Sequence, residues 1–241
     1  MDKSQENSPT LVDSFRLVPV IEIEPFPYMA KGRSYPADSS AASDPAAWAA
    51  YWRESLADSN IEGVVPIRDG SWLVPTESFK EETQEVLEAV LSGLWKHHKV
   101  EVTDISSAGF SGGGIVLMDH EGTIWLQPSC CGDLGSLKDW GGLVNSPPES
   151  WNMLWIGHPW VYARHERGRI IFSDQTESND PAEEVFTVPL ARLKSELALA
   201  HQELIRFSSH VESAMTAYGY SGDVTRTVKQ FCGVAENFPF S

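Results

Sequence analysis

The sequence predicts an α+β fold, in which a mostly antiparallel sheet built from successive hairpins is packed by three helices, including a long C-terminal one. Three observations predict it. Short apolar stretches are joined in pairs by turn sequences, two segments open with helix-capping residues, and residues 189–218 repeat apolar positions at spacings of three and four. Sequential hairpins favour antiparallel pairing over the parallel sheet of a doubly wound fold.

The N-terminal part predicts an extended segment followed by a surface connection. Residues 14–23 are apolar but contain Pro19, which cannot donate a ladder hydrogen bond and is expected at an edge or a bend. Residues 24–43 are rich in proline, serine and alanine, a composition typical of a connection. We therefore expect 1–43 to be an extended N-terminal segment and surface connection, and 44–241 to be a single α+β domain.

Two helices have recognisable starts. Asp44 and Pro45 suit the N-cap and first helical positions, because an aspartate accepts from free N–H groups and a proline needs no donor there. This predicts a helix near 45–58. Ser78 and Glu81 have the spacing of a capping box, which predicts a second helix near 78–96.

Three hairpins are expected from turn chemistry. Each pairs two apolar runs across a short polar turn that ends in glycine, a residue that tolerates the positive φ angles of tight hairpins. The hairpins cover residues 63–75, 115–126 and 160–173.

The third helix is the long one, over about 189–218. Its apolar residues alternate by three and four, which is a heptad pattern. They are Leu190, Leu193, Leu197, Ala200, Leu204, Phe207, Val211, Ala214 and Tyr218. We expect this seam to pack on a sheet or helix of the same chain, with a coiled coil between chains as the alternative.

Charge restricts the class of partner. The chain has 18 Lys and Arg against 34 Asp and Glu, a formal net charge of -16. Such a surface repels nucleic acid and anionic membranes and attracts basic partners. No apolar run reaches the roughly 20 residues of a membrane span, and the polar N-terminus lacks the apolar core of a signal peptide. Three cysteines without a disulfide framework indicate a reducing compartment, so we expect a cytoplasmic protein.

The densest chemical signal lies between residues 125 and 160, which hold five of the nine tryptophans. One interpretation is that these indoles build the core; the other is that some line a groove for a protein or a small ligand. Aromatic anchors beside an acidic rim are typical of protein recognition. The expected binding surface comprises Trp125, Asp133, Trp140, Trp151, Trp155, His158 and Trp160.

The adjacent Cys130 and Cys131 allow a thiol-dependent enzyme as an alternative. His158 would act as the base and Asp133 would orient it. However, neighbouring residues of a strand point to opposite faces, so the two thiols are not expected to share one small site. The pair also lacks the two-residue spacer of a zinc knuckle. We therefore expect no metal site and no cofactor.

The central hairpin carries a resemblance to a known family. Gly113-Gly114-Ile-Val-Leu117, then Asp119 to Gly122, then Thr123-Ile-Trp-Leu126 resembles the glycine-led hairpin of the SUKH superfamily. Those are small cytoplasmic α+β proteins, many of them immunity proteins that neutralise toxins of competing bacteria. The resemblance implies a toxin as partner and carries over no site residue. Many such toxins are basic nucleases, to which an acidic inhibitor would be steered electrostatically.

These observations together predict a non-enzymatic, acidic, cytoplasmic binding protein, of the immunity type, whose partner is a basic protein and neither nucleic acid nor a membrane. Two alternatives stay open: a thiol-dependent enzyme that uses Cys130 or Cys131 with His158, and a small-ligand sensor with a tryptophan-lined pocket. The sequence leaves the identity of the partner and the oligomeric state open.

Overall fold

The computed structural model describes residues 8–36, 43–101 and 112–234. Over these ranges it confirms the α+β class, with five α-helices and nine strands in predominantly antiparallel sheets. The helices are α1 (Pro45–Ala57), α2 (Gln84–His97), α3 (Leu137–Val144), α4 (Leu190–Tyr218) and α5 (Val224–Phe231). The strands are β1 (Thr10–Leu11), β2 (Phe15–Glu22), β3 (Leu73–Pro75), β4 (Gly113–Asp119), β5 (Ile124–Leu126), β6 (Asn152–Leu154), β7 (Val161–Glu166), β8 (Arg169–Ser173) and β9 (Glu184–Pro189).

The strands form two sheets where the sequence predicts one. The five-stranded sheet has the order β1-β9-β8-β7-β6, and the four-stranded sheet has the order β3-β2-β4-β5. Neighbours in the five-stranded sheet are antiparallel except β1, which pairs with β9 in parallel. Antiparallel pairing therefore dominates, as sequential hairpins predict.

The chain packs as two compact units. The first unit comprises the described residues up to 18 together with 114–201, and the second comprises those within 19–113 together with 202–234. Strand β2 and helix α4 each contribute residues to both units. The division into 1–43 and 44–241 stays a prediction.

Two of the three predicted hairpins are confirmed. β4 and β5 pair with Leu117 opposite Leu126, and β7 and β8 pair with His165 opposite Ile170.

The hairpin predicted over 63–75 is wrong. Only Leu73–Pro75 forms a strand there, and it pairs with β2, where Ile21 lies opposite Val74. Between the two predicted arms, the Ile67 N–H donates to the Leu73 carbonyl at 2.8 Å. Pro66 lies in the first arm and supplies no N–H, which weakens any ladder on that side, whereas β2 offers an apolar strand as partner.

One of the two predicted helix starts is confirmed. α1 begins where expected, with Asp44 Oδ1 accepting from the Ala47 N–H at 3.0 Å. α2 begins at Gln84, later than the sequence predicts, because two 3-10 turns, Thr76–Ser78 and Glu81–Thr83, precede it. The local capping contact is made by Thr83, whose Oγ1 accepts from the Lys80 N–H at 2.7 Å.

The long helix is confirmed as α4, and its apolar seam is covered by the chain itself. The fully buried members are Leu193, Leu197, Ala200, Leu204, Phe207, Val211 and Ala214, and Met215 beside them is buried as well. This favours packing within one chain over a coiled coil between chains. Helices α3 and α5 have no counterpart among the helices that the sequence predicts.

Across the described ranges, no helix combines the length and apolar character required to traverse a membrane.

Candidate functional site

The predicted site residues all lie in the first unit, but they have different roles. Trp140, on α3, has 0% of its surface exposed and packs 5.9 Å from the ring of Phe172. Trp125, on β5, is half-buried; its Nε1 donates to Asp119 Oδ2 at 2.9 Å, and its ring lies 5.5 Å from that of Phe186. The hydrogen bond from Trp125 is the main reason why the pKa of Asp119 is lowered. These two indoles match the core interpretation of the tryptophan set.

Trp151 is held by a cation. The Arg164 guanidinium lies 4.9 Å from the centre of the indole ring, within the range of a cation–π contact. The same guanidinium forms ion pairs with Glu166 at 2.9 Å and Glu184 at 2.7 Å. Trp151 is therefore fixed at the surface of the five-stranded sheet by a charged network.

Trp155, His158 and Trp160 gather into one aromatic group. The two indoles are stacked with ring centres 6.2 Å apart. The imidazole meets both edge-on, at 4.9 Å from Trp155 and 5.3 Å from Trp160. The indoles are half-buried and His158 is exposed, so this group presents an accessible aromatic surface. It contains three of the residues that the sequence predicts for a binding surface.

The segment that carries His158 is bonded to the segment that carries the cysteines. The His158 N–H donates to the Cys130 carbonyl at 2.9 Å, and the Cys130 thiol lies 3.4 Å from the His158 carbonyl. Gly157 permits this approach, because a Cβ there would lie 2.2 Å from the Cys130 carbonyl oxygen. Its φ of +106° also lies in the region that favours glycine.

Both thiols lie beside the imidazole. The Sγ atoms of Cys130 and Cys131 and a ring nitrogen of His158 all lie within 4.8 Å of one another, and all three residues are exposed. The sequence predicts that the two thiols point to opposite faces. That expectation holds only for a continuous strand, and Cys131 leaves the strand conformation with a left-handed φ of +67°.

The electrostatics do not activate Cys131 as a nucleophile. Its hydrogen bond with Cys130 is the main cause of a raised pKa, which favours the protonated thiol. Asp133 is exposed, and its carboxylate does not lie within 4.8 Å of all three donor atoms of the cluster. Instead, its charge adds to the effect of burial in raising the pKa of Asp139. The raised pKa of the Cys131 thiol therefore counts against the thiol-enzyme interpretation.

An acidic loop, residues 174–183, borders the aromatic group. Its backbone pairs with that of Trp160 through two hydrogen bonds. The Trp160 N–H donates to the Thr176 carbonyl at 3.2 Å, and the Thr176 N–H donates to the Trp160 carbonyl at 2.8 Å. Gln175 Nε2 also donates to Ser129 Oγ at 3.4 Å, next to Cys130. The loop contains no lysine or arginine, and its four acidic residues are all exposed. They are Asp174, Glu177, Asp180 and Glu183.

The sequence of this loop is polar, but it does not indicate which residues the loop contacts. The contact with Trp160 has no local signal, because it joins residues of different turns through backbone groups alone.

Comparisons with protein families, with curated proteins and with solved structures find no match to this chain.

Proposed function

We propose that the protein is a non-enzymatic binding protein that docks a basic partner protein. The docking surface is formed by Trp155, His158, Trp160 and the acidic loop, residues 174–183. The observation that carries the proposal is the direct backbone pairing of the loop with Trp160, which places exposed carboxylates beside accessible indoles. Indoles supply most binding energy per residue at protein interfaces, and a charged rim selects and orients the partner.

The charge of the whole chain supports the same partner class. A net charge of -16 raises the rate at which a positively charged protein meets this surface. A cytoplasmic binding protein of the immunity type, with a basic toxin as its target, agrees with that charge. Three free cysteines, two of them exposed, agree with a reducing compartment.

The thiol-enzyme alternative is less well supported, because the hydrogen bond with Cys130 raises the pKa of the Cys131 thiol and favours its protonated form. A small-ligand sensor would use the same indoles, but it would not select Lys- and Arg-rich peptides.

The test is a selection from a random peptide library displayed on phage, with the full chain as bait. The variant Asp174→Asn/Glu177→Gln/Asp180→Asn/Glu183→Gln removes the charge of the acidic loop. The matched control, Glu62→Gln/Glu82→Gln/Glu85→Gln/Glu101→Gln, removes the same charge from exposed positions in the second unit. We expect the wild type and the control to enrich Lys- and Arg-rich peptides.

The loop variant should lose that enrichment, with association of a selected peptide slowed about tenfold or more. Replacement of Trp155 and Trp160 by alanine should abolish binding of the same peptide. Enrichment of neutral or acidic peptides, or equal loss in both charge variants, would show that no basic partner docks here.

A further inference from the structure

We propose that Cys130, Cys131 and His158 form a binding site for one thiophilic cation, Cu(I) or Zn(II), a function distinct from the docking of a protein. From the sequence we expected no metal site, because the cysteines are adjacent. The backbone of Cys131 removes that objection, and the proposal replaces the expectation.

The donor atoms of the three residues lie close together. Three donor atoms lie within 4.8 Å of one another. In a tetrahedral or trigonal site with ligands at about 2.0 to 2.3 Å, neighbouring donor atoms stand about 3.3 to 4.0 Å apart. The three donors therefore have to approach one another by about 1 Å, a distance that rotation of exposed side chains covers.

The backbone holds these residues together before any ion binds. Cys130 and His158 form an isolated antiparallel bridge, and the Ser129 N–H donates to the Ile156 carbonyl at 2.7 Å beside it. Gly157 has the positive φ and the missing side chain that this bridge requires. Metal sites bind tightly when their ligands are held near the productive geometry in advance.

The donor set has the chemistry of a site for a thiophilic cation. Two sulfur atoms and one imidazole form a soft set that selects Cu(I) or Zn(II) over magnesium or calcium, which prefer oxygen. Three protein ligands complete a trigonal Cu(I) site, whereas Zn(II) would keep a fourth, open position for water. All three residues are exposed, so the ion can enter from solvent. The net charge of -16 also attracts a cation.

The test is a competition titration of the full chain, kept reduced and free of oxygen. In one arm Cu(I) is shared with a chromophoric Cu(I) chelator, and in the other Zn(II) is shared with a chromophoric Zn(II) chelator. We expect one ion per chain in at least one arm, and the arm that shows tighter binding identifies the ion.

The variants are Cys130→Ser, Cys131→Ser and His158→Gln. Loss of an outer-shell partner already costs about 10- to 100-fold in metal affinity, so loss of a ligand should weaken binding at least that much. The controls are His120→Gln, an exposed imidazole of the same unit outside the cluster, and Cys232→Ala, the buried third thiol. Circular dichroism establishes that each variant is folded.

A second readout does not depend on the chelator. Trp155 and Trp160 lie about 5 Å from the imidazole, so a bound copper ion should quench their fluorescence in proportion to occupancy. X-ray absorption should show two sulfur ligands and one nitrogen ligand.

Three results would overturn the proposal: no binding tighter than that of the His158→Gln variant, half an ion per chain, or binding that depends on Cys232. These outcomes are independent of the docking proposal, which is tested through the carboxylates of the acidic loop.

Discussion

Single backbone angles decide what the residues of the first unit can do. Cys131 at φ +67° turns its thiol toward Cys130 and His158, and Gly157 at φ +106° lets the two segments meet. Replacing either residue would alter the backbone geometry of the site, whatever the chemistry of the new side chain. The site therefore depends on two residues whose conformations are uncommon or strained for other side chains.

At the same scale, His210 of the second unit predicts a pH dependence of stability. Its Nδ1 lies 2.8 Å from Gln84 Oε1. Burial is the main cause of its lowered pKa, the charge of Arg206 lowers it further, and Glu203 and Glu81 oppose the shift. A histidine with a lowered pKa binds its proton less readily in the folded chain than in the unfolded chain. Its contribution to stability is therefore complete above the unfolded pKa of about 6.5 and is lost as pH falls through the folded pKa.

We expect urea unfolding between pH 7.5 and pH 5 to show a falling free energy of unfolding for the wild type. The decline should be shallower for His210→Gln, which has no group to protonate. His120→Gln, at an exposed position, is the control and should retain the wild-type slope. Equal slopes for all three proteins would contradict the assigned role.

At the scale of elements, α4 is stabilised by burial of its apolar face. Phe207 is fully buried and packs 6.0 Å from the ring of Phe79, while Ile205, two residues away, is 45% exposed. We expect Phe207→Ala to lower the free energy of unfolding by about 3 to 5 kcal/mol, since it leaves a cavity. Ile205→Ala, which raises helix propensity in the same way, should change it by about 0.5 kcal/mol or less.

Urea denaturation of the two variants measures the difference. Similar losses from both would mean that Phe207 does not occupy the packed face of the helix.

The elements that could be predicted from the sequence are those with strong local signals. Asp44 followed by Pro45 predicts α1, and the turn that begins at Asp119 predicts the β4–β5 hairpin, because capping and turn chemistry act within a few residues. α3 was missed because it has only 8 residues and contains Gly141 and Gly142, which are poor helix formers. Its stability comes from burying Trp140, a contact with no local signal.

The sequence could predict which residues belong to the candidate site, but not how they are arranged. The cysteines, His158 and two of the indoles could be chosen by residue type, and the structure brings them together. Their mutual arrangement depends on the left-handed conformation of Cys131, which adjacent cysteines do not indicate. The pairing of the acidic loop with Trp160 is likewise a long-range backbone contact that no residue type specifies.

At the scale of the whole molecule, the main feature is the net negative charge. A net charge of -16 destabilises the folded chain through repulsion between its own carboxylates. Salt screens such repulsion over about 10 Å at 0.1 M. We therefore expect the thermal midpoint to rise as sodium chloride is added from low ionic strength to about that concentration.

The variant with the four neutralised carboxylates of the acidic loop provides the comparison. It carries -16 + 4 = -12 charges, so its midpoint should gain less from the same salt. A midpoint that falls with salt would show that favourable ion pairs outweigh the repulsion. A gain in the variant as large as that of the wild type would show that the loop carboxylates do not contribute to it.

The division into two units also bears on how such a protein can be inherited. The chain changes unit after residues 18, 113 and 201, so neither unit is encoded by one uninterrupted stretch of the gene. No single recombination breakpoint separates one unit whole from the other. Exchange of an intact unit would need two coordinated crossovers, so point substitution and changes in loop length are the simpler routes by which these units diversify.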